Sequence, residues 1–390
     1  MASFQARPTK TPYAQQRNAR QQNTSALLFD LWHNAPQSRA ALAQRNGLTK
    51  ATVSAICDEL TALNLIQEVG QDRSSIGRPG NLLALNPQAR GAIGLEISTN
   101  YVAVLLTNLC GDAVWRDTVS TTLGCPQEEV LRQAEALLAA AIEQARGRDL
   151  PLLGIGVAVP GIVDSDGGQI ISAPALGWRN TSLQQWETQF GLPVIVENKA
   201  RAGAMAEALH GAARGARTFV YVSIGTDVGS SLDAAVVIDG ALYRGAHGLA
   251  VDAGHMTLDP NGELCSCGQR GCWQAQADVA REAVLVSARL ASGVPSSLQG
   301  LPKQAIEDHR TIHQAALEGD ALATEVFRSV ITLGHAPGIV NLIYLFDPEL
   351  VLIGFANVGL PSAFQERMEA LTHVAGLGIA EEVRKRITAR

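Results

Sequence analysis

The sequence lacks any uninterrupted run of about 18 apolar residues, the length that a membrane-spanning helix requires. Its first residues, MASFQARPTKTPYAQQRNARQQN, contain no apolar stretch that resembles a secretory signal peptide. Charged residues are also sparse, at 17% of the 390 residues, while apolar residues make up 46%, a balance that excludes intrinsic disorder. We therefore expect a cytoplasmic globular protein of two or three domains with no membrane association.

Cysteine is scarce as well, with six in the whole chain. In a cytoplasmic protein of this length, cysteines are expected to stay reduced unless they hold a metal or perform chemistry. Three of them stand singly in apolar or loop contexts and are predicted to be inert. These are Cys57, Cys110 and Cys125.

The other three cysteines crowd into eight residues and follow a histidine in the pattern H-x9-C-x-C-x4-C. One imidazole and three thiolates complete the tetrahedral ligand set of a structural zinc site, and Gly268 and Gly271 allow the chain to turn tightly around an ion. The predicted ligands are His255, Cys265, Cys267 and Cys272. We expect one structural Zn²⁺ per chain, with a redox thiol cluster or accidental crowding as the alternatives.

The distribution of charge is asymmetric along the chain. Residues 1–90 contain 10 Lys and Arg against 5 Asp and Glu, a net charge of +5, so the rest of the chain carries −11 of the total of −6. A basic N-terminal segment is suited to contact nucleic acid. An excess of this size is also common in proteins that bind no nucleic acid, so charge alone leaves both possibilities open.

The N-terminal residues predict a flexible arm and then three short helices. Residues 1–23 are rich in Gln, Arg and Asn without apolar periodicity, and structure is expected to begin near Thr24. Ser38 is placed to cap a second helix that Gly47 ends, and a third helix starts at Thr49. Two strands, LIQEVG and NLLALNP, follow, joined by the basic hairpin QDRSSIGRPG. Residues 24–88 thus match a winged helix-turn-helix, or else a small protein-interaction domain.

The third helix opens with small polar residues, at the end that would meet DNA in a helix-turn-helix protein. Lys50 can neutralise a phosphate, neighbouring hydroxyls can reach phosphates or base edges, and the arginines of the hairpin can enter a minor groove. The predicted DNA-binding residues are Thr49, Lys50, Thr52, Ser54, Arg73 and Arg78.

From residue 91 to residue 390 the pattern changes to strands that alternate with helices, which indicates an α/β domain. Two similar strand-turn-strand units occur, GAIGLEIS with YVAVLLTN and TFVYVSIG with SLDAAVVID. Their repetition suggests two related lobes that close over a cleft.

Several motifs along the chain, one of them in the N-terminal hairpin, resemble the ROK family, named for repressor, open reading frame and kinase, and in particular its repressors of sugar-uptake genes. They are GRPG at 77–80, VPGIVD from Val159, ENKARAGAMAEALHGAARG from Glu197, IDGALYRGAHGLAVDAGH from Ile238, and the cysteine cluster. The resemblance implies an actin-like, sugar-kinase-like fold. A first lobe of about 91–197, to which a C-terminal helix can return, would be followed by a second lobe of about 198–375 with the zinc loop 255–272. It also implies dimers or tetramers.

Positions that serve catalysis in the family's kinases are changed here. Those kinases place a general-base aspartate directly after the Asn, where this chain has Lys199, and a protonated amine cannot accept a proton. The glycine-rich first phosphate turn is replaced by EISTN at 96–100, and Asp227 brings negative charge into the second phosphate loop. Phe355 stands where glycine makes room for adenosine. We therefore predict no catalytic residues and no kinase activity.

The sugar pocket that the resemblance implies also departs from type, with Ala175, Asp252 and Gln274 in place of Asn, Glu and Glu. The predicted ligand-binding residues are Glu197, Asn198, Lys199, Asp252, His255 and Gln274. Because Lys199 adds positive charge, a sugar acid or a phosphorylated sugar is one candidate effector beside a neutral sugar. The alternative is that Lys199 faces solvent or pairs with Glu197.

Together these features predict a ligand-responsive transcriptional regulator, a repressor of carbohydrate transport or catabolic genes. Its partners would be a sugar or sugar-derived effector and a pseudo-palindromic double-stranded operator, bound by a homodimer or homotetramer. Two alternatives remain at this point: a sugar kinase with an accessory DNA-binding domain, and a regulator controlled by a protein partner.

Overall fold

The computed structural model describes residues 12–72, 80–122, 124–165, 167–225, 232–246, 248, 250, 252–278, 280–355 and 387–389. The chain divides into two compact units. One contains the first 92 residues together with 106–115 and 143–153, and the other contains the remaining residues. Arg73 and Arg78, predicted to contact DNA, lie outside the described residues, as does Asp227 of the second phosphate loop.

The N-terminal part contains three helices and a three-stranded sheet of strand order β1-β3-β2. The elements are α1 (Pro12–Asn34), β1 (Gln37–Ser38), α2 (Arg39–Asn46), α3 (Lys50–Ala62), β2 (Ile66–Asp72) and β3 (Gly80–Leu85). Apolar side chains from the helices and from β2 and β3 form one core, which includes Leu27, Leu31, Val53, Ile56 and Leu83.

The boundaries of α2 and α3 follow from capping residues that the sequence identifies. The Ser38 hydroxyl accepts a hydrogen bond from the Ala41 amide at 3.3 Å, and the Thr49 hydroxyl accepts one from the Thr52 amide at 3.1 Å. Each bond satisfies an amide that the first helical turn leaves free. Gly47 ends α2 with a φ of 63°, a left-handed conformation that glycine adopts without strain. These predicted helix starts and the predicted stop are confirmed.

The predicted flexible arm over 1–23 is wrong for residues 12–23, which belong to α1. Proline is favourable in a first helical turn, and the Gln, Arg and Ala residues that follow it have high helix propensity without needing an apolar face. The side chain of Arg20 also forms an ion pair with Glu59 of α3, at 2.6 Å. The arm was predicted from missing apolar periodicity, a criterion that cannot detect an exposed polar helix.

The large domain begins with a five-stranded sheet of order β11-β7-β4-β5-β6, beside which a small antiparallel sheet forms from β8, β9 and β10. The elements are β4 (Gly91–Ile97), β5 (Tyr101–Asn108), β6 (Ala113–Ser120), α4 (Gln127–Arg146), β7 (Leu152–Val159), β8 (Ile162–Asp164), β9 (Gln169–Ala173), β10 (Trp178–Ser182), α5 (Gln185–Phe190) and β11 (Val194–Asn198). Strand β11 runs parallel to β7.

A second five-stranded sheet has the order β14-β13-β12-β15-β16. The elements are α6 (Lys199–His210), β12 (Phe219–Ile224), β13 (Leu232–Ile238), β14 (Ala241–Leu242), α7 (Trp273–Gln276), α8 (Ala280–Ala291), α9 (Lys303–Glu307), α10 (His309–Leu317), α11 (Ala321–Phe327), α12 (Gly334–Phe346), β15 (Leu350–Phe355) and β16 (Ile387–Ala389). Strand β16 pairs with β15 of this sheet, so these last described residues do not form the expected C-terminal helix of the first lobe.

The segment Ala321–Phe346, which contains α11 and α12, is long and apolar enough to cross a membrane by length and composition alone. Several of its apolar side chains instead pack in the protein core. Ile339, Leu342 and Ile343 pack with residues of β12 and β13 in the core of the second sheet, and Val326 belongs to a neighbouring buried cluster. The segment therefore has the contacts of a core helix.

Candidate functional site

The four predicted metal ligands come together although they are spread over 18 residues of sequence. One ligand atom from each of them lies within 4.8 Å of all the others. The thiol of Cys265 lies 3.6 Å from His255 Nδ1, and the thiols of Cys267 and Cys272 are 3.6 Å apart. Zinc–sulfur and zinc–nitrogen bonds of about 2.3 and 2.0 Å in a tetrahedron require separations of roughly 3.5–3.8 Å. The group therefore fits one tetrahedral metal ion.

The backbone of this loop holds the cluster in place through hydrogen bonds of its own. The Cys265 amide donates to the Gln269 carbonyl at 2.8 Å, and the Leu258 amide donates to the Gly271 carbonyl at 2.8 Å. Gly271 has a φ of +67°, and a Cβ there would lie 1.4 Å from the Asp259 carbonyl oxygen. Glycine is thus required at this position, because any side chain would collide with the backbone of Asp259, which follows His255 in the same loop.

The thiols differ in exposure and acidity. Cys272 is completely buried, and burial together with the neighbouring thiols raises its pKa to about 12. Cys267 is exposed, and although burial acts to raise its pKa, hydrogen bonds from the Gln269 amide and from neighbouring thiols outweigh that effect and lower it. A metal ion that binds here must displace the proton of Cys272.

A small, open cavity lies beside this cluster. Asp252, His255 and Gln274, three of the predicted ligand-binding residues, line it together with Ser266. His255 and Ser266 belong to the loop that carries the cysteines, so the metal cluster and the cavity share a wall.

Asn198 lines an adjoining part of the cavity, which shares Gly161, Asp233 and Asp252 with the first part. It ends β11 and caps α6, where its side-chain oxygen accepts a hydrogen bond from the Arg201 amide at 3.1 Å. Its side-chain nitrogen donates to the Gly161 carbonyl at 2.9 Å and also to Asp233 Oδ2. The residue is 5% exposed, so every one of these polar contacts is made away from bulk water.

Asp233 is a cavity residue that sequence reasoning missed. It lies near the start of β13, is 6% exposed, and lines both parts of the cavity with Asp252. Burial and the charge of Asp252 raise the pKa of Asp233 to about 8. The sequence does contain a feature that could have identified it, an acidic residue inside the apolar strand LDAAVVI. A carboxylate is rarely buried without a partner or a function.

Glu197 is buried but is not among the residues that line the cavity, contrary to the prediction. Its carboxylate forms ion pairs with Arg244 and, at 3.5 Å, with Arg201. The Arg201 guanidinium in turn donates to the carbonyls of Gly248 and Ala250. Glu197 is therefore engaged by two arginines, one of which also holds the backbone at Gly248 and Ala250.

Lys199 also lies away from the cavity. Its ammonium nitrogen is 2.6 Å from Glu96 Oε1 and 3.4 Å from the Tyr101 hydroxyl, which itself donates to Glu96. Burial alone would lower the pKa of Lys199, but the contacts with Glu96 and Tyr101 outweigh it and raise the pKa. The expected positive charge in the sugar pocket is therefore wrong, and so is the alternative of a pair with Glu197.

A tyrosine of β12 packs closely against two glycines. A Cβ on Gly354 would lie 2.1 Å from the Tyr221 hydroxyl, and one on Gly203 would lie 2.6 Å from its ring. Tyr221 thus packs between α6 and β15, beside the glycine that precedes Phe355. The backbone of Phe355 belongs to β15, but its side chain is outside the described residues.

On the N-terminal unit, the predicted DNA-contacting residues serve different roles. Lys50 is exposed at the first position of α3, whereas Thr49 and Thr52 hydrogen-bond to each other at the helix start. Ser54 accepts a hydrogen bond from Arg39 of α2 at 2.8 Å, and Arg39 also pairs with Asp58 at 2.7 Å. Arg39 is a basic residue on this face that sequence reasoning missed.

The chain is similar in sequence and structure to several known proteins. The sequence pattern of the ROK family matches residues 92–379. A xylose repressor of Caldicellulosiruptor bescii is 31% identical over 348 residues, which is 86% of this chain and 83% of that protein. A solved ROK family transcriptional regulator, a homologue of the Escherichia coli Mlc protein, has a TM-score of 0.77 and 26% identity over 95% of this chain and 91% of its own.

A ROK family glucokinase of Streptomyces griseus, solved with glucose and AMPPNP, gives a TM-score of 0.62 at 27% identity. The likeness covers 94% of the glucokinase but only 77% of this chain. Alignment with the regulator therefore extends over a part of the chain that alignment with the glucokinase leaves out.

Proposed function

The chain belongs to the ROK family, and from this premise we propose that it is a cytoplasmic, sugar-responsive transcriptional repressor. The main support for the proposal is how much of the chain aligns with each solved structure. The regulator aligns with nearly the whole chain, and the glucokinase does not. The likeness to both also confirms the expected sugar-kinase-like fold of the large domain.

The N-terminal unit acts as a winged helix-turn-helix in this proposal. Helices α2 and α3 are joined by a short turn that starts at Gly47, and α3 presents its N-terminal end with an exposed lysine. Lys50 contacts a phosphate, and Thr49, Thr52 and Ser54 form the polar surface around it. Arg73 and Arg78, in the segment of sequence between β2 and β3, are proposed to enter the minor groove.

The large domain senses the effector through the cavity beside the metal cluster. Asn198, Asp252, His255 and Gln274 are proposed to bind the sugar. One structural Zn²⁺, held by His255 and the three cysteines, would fix the loop that supplies one wall of the cavity. Because His255 and Ser266 lie in both features, a bound sugar contacts the metal-stabilised loop directly.

The proposal includes the loss of kinase activity. Lys199 occupies the position of the general base and is held by Glu96 and Tyr101, so no carboxylate follows Asn198 to accept a proton. Tyr221 packs against Gly354 on the side where a nucleotide would bind. In this proposal the domain keeps a ligand cavity but lacks the groups that would transfer a phosphoryl group.

In this proposal, DNA binding is regulated because it is thermodynamically coupled to sugar binding. A sugar changes DNA affinity only if it binds more tightly to one of two arrangements of the protein. In a homodimer or homotetramer, two winged helices would read a pseudo-palindromic operator, and closure around the sugar would alter their spacing.

Selection of genomic fragments tests this function. The purified full-length protein is mixed with sheared DNA of its source organism, and bound fragments are sequenced. We expect discrete pseudo-palindromic sites beside sugar transport or catabolic genes, and release of those fragments by the matching sugar. No enrichment at moderate salt, together with ATP-dependent phosphorylation of a sugar, would replace the proposal by a sugar kinase. Enrichment that no sugar reverses would favour control by a protein partner.

A further inference from the structure

We propose that Arg39 is a positioning residue of the DNA-reading surface, which holds the Ser54 hydroxyl of α3 so that its proton donates to an acceptor on a base edge. Specificity at that base pair then depends on Arg39, although Arg39 itself touches no base. The inference rests on the proposed function, because it assumes that α3 enters a major groove. It adds a positioning residue and a direction of hydrogen bonding that the sequence did not predict.

Arg39 joins the two helices of the helix-turn-helix through a forked contact. It is the first residue of α2, directly after the capping Ser38. Its Nη1 donates to Ser54 Oγ at 2.8 Å, and its Nη2 lies 2.7 Å from Asp58 Oδ1. Ser54 and Asp58 are four residues apart on α3, so they lie on one face of that helix. A planar guanidinium makes both contacts in one orientation, which ties the start of α2 to α3.

This contact leaves the proton of Ser54 available to DNA. A serine hydroxyl has one proton to donate and two lone pairs that accept. Inside a helix that proton often bonds back to the carbonyl four residues earlier, here the carbonyl of Lys50. Among the described residues, however, the one hydrogen bond of Ser54 is the bond that it accepts from Arg39. Because a hydroxyl that accepts from a charged donor is polarised, it becomes a stronger donor itself.

The charges along α3 favour a base edge over a phosphate as the partner of Ser54. The exposed Asp58 carboxylate offsets the charge of Arg39, so this pair gives a phosphate no net attraction. Lys50, one turn nearer the start of α3, is exposed and presents its ammonium group there. The surface is thus divided into a cationic part at Lys50, which suits a phosphate, and a neutral, hydrogen-bonding part at Ser54, which suits a base.

The direction of the hydrogen bond decides which bases fit. In the major groove, guanine presents acceptors at N7 and O6, adenine at N7 and thymine at O4, whereas cytosine presents only its amino donor. A donating hydroxyl therefore pairs with three of the bases and meets a second donor at cytosine, which leaves both groups unsatisfied. Ser54, held by Arg39, consequently reads one position of the operator by excluding cytosine.

Selection from a synthetic library of double-stranded DNA with a randomised central segment tests the inference on the full-length protein. Sequencing of the bound DNA gives the relative affinity for each base at each position. Ser54→Ala identifies the position that Ser54 reads, where wild-type protein should bind cytosine roughly fivefold more weakly than the preferred base. The Arg39→Met/Asp58→Asn double variant, which preserves net charge, should lose the same preference at the same position. Adding Ser54→Ala to it should change nothing further.

Further variants separate positioning from a phosphate contact and from general stabilisation. If Arg39 bound a phosphate, the double variant would lower the slope of log affinity against log salt by about 0.9, whereas we expect the wild-type slope. Arg39→Lys keeps the charge but lacks the fork, so it should lose the cytosine exclusion while it remains folded. Arg45→Met is the matched control, because Arg45 lies on the same helix but pairs with Asp30 at 2.9 Å. It should leave every base preference unchanged, and melting temperatures show which variants are folded.

The outcomes separate this inference from the proposed function. The inference is overturned if folded Arg39 variants keep the preference that Ser54→Ala loses, if Ser54→Ala weakens all sequences alike, or if the double variant lowers the salt slope. Those results leave the repressor in place. The expected dependence on Arg39, in a protein that no sugar releases from DNA, supports the inference and refutes sugar control. Wild-type protein that selects no sequence refutes both.

Discussion

Lys199 Nζ lies 2.6 Å from Glu96 Oε1, and the Tyr101 hydroxyl contacts both side chains. From sequence these are two separate departures from a kinase, one after Asn198 and one in the first phosphate turn. In the structure they compensate each other, because the added cation neutralises the nearby carboxylate. The pair explains how a lysine is accommodated here without making the sugar cavity basic.

Lys199→Met is expected to destabilise the protein and to spare the cavity. Glu96 would lose its cation while about one-third exposed, so we expect a loss of about 1–2 kcal/mol, less than for a fully buried pair. Urea unfolding measures the loss, and the Glu96→Gln/Lys199→Met double variant should recover part of it. Affinity for a sugar that binds the protein should stay within about twofold by calorimetry, since Lys199 is not among the residues that line the cavity. A much larger change would place the lysine in the binding site.

Asp30 is expected to make the N-terminal helices sensitive to acid. Burial alone would raise the pKa of Asp30, but hydrogen bonds from Gln37, Arg45 and the side chains of Asn34 and Asn46 outweigh it and hold the pKa below its ordinary value. A carboxylate whose pKa is lowered by folding stabilises the fold above its unfolded pKa of about 3.9, and this contribution is lost as pH falls through the folded pKa.

Asp30→Asn tests this role at neutral pH. Amide exchange in α1 and α2 of the full-length chain should become roughly tenfold faster, equivalent to about 1.4 kcal/mol of local stability. The stability of these helices should then depend less on pH between about 5 and 2 than in wild-type protein. Glu68→Gln, an exposed change in the same unit, should alter neither property. Equal pH dependence in wild-type and Asp30→Asn protein would contradict the assignment.

Features that depend on neighbouring residues could be predicted from the sequence, whereas features that depend on distant residues could not. Helix ends are set by contacts within a few residues, as at Ser38, Gly47 and Thr49. The metal ligands can be identified from the residue types and spacing of the cysteine cluster. The partners of Lys199 and Glu197 depend on how distant strands align, which periodicity does not specify. Asp233 was missed because its role depends on Asn198 and Asp252, which only the fold brings together.

Cys267→Ser is expected to release the metal and to destabilise the protein. A hydroxyl is a poor zinc ligand beside three stronger ones, so zinc content should fall well below one per chain, with a lower melting temperature. Cys110→Ser, outside the cluster, is the control and should keep the ion. Atomic absorption and thermal unfolding measure both effects. One zinc per chain and an unchanged melting temperature in Cys267→Ser would refute the ligand assignment.

Zinc affinity itself is expected to rise with pH. Burial and the neighbouring thiols raise the pKa of Cys272 to about 12, so metal binding must release its proton. Lowering the pH makes that release less favourable. A competitive chelator titration from about pH 6 to pH 8 should show weaker zinc retention at the acid end. An affinity that is independent of pH would mean that the thiols of this cluster do not coordinate the ion.

Lys50→Ala is expected to weaken binding to all DNA sequences alike and to leave operator preference unchanged. Lys50 is exposed at the start of α3, where a lysine neutralises a phosphate but does not read a base. Loss of one phosphate contact should reduce the slope of log affinity against log salt by about 0.9. Fluorescence anisotropy with operator and scrambled duplexes at several salt concentrations gives both quantities. Lys303→Ala, an exposed lysine paired with Glu307 in the large domain, should leave the slope unchanged. A Lys50→Ala protein with the wild-type slope would show that α3 contacts DNA through another face, or not at all.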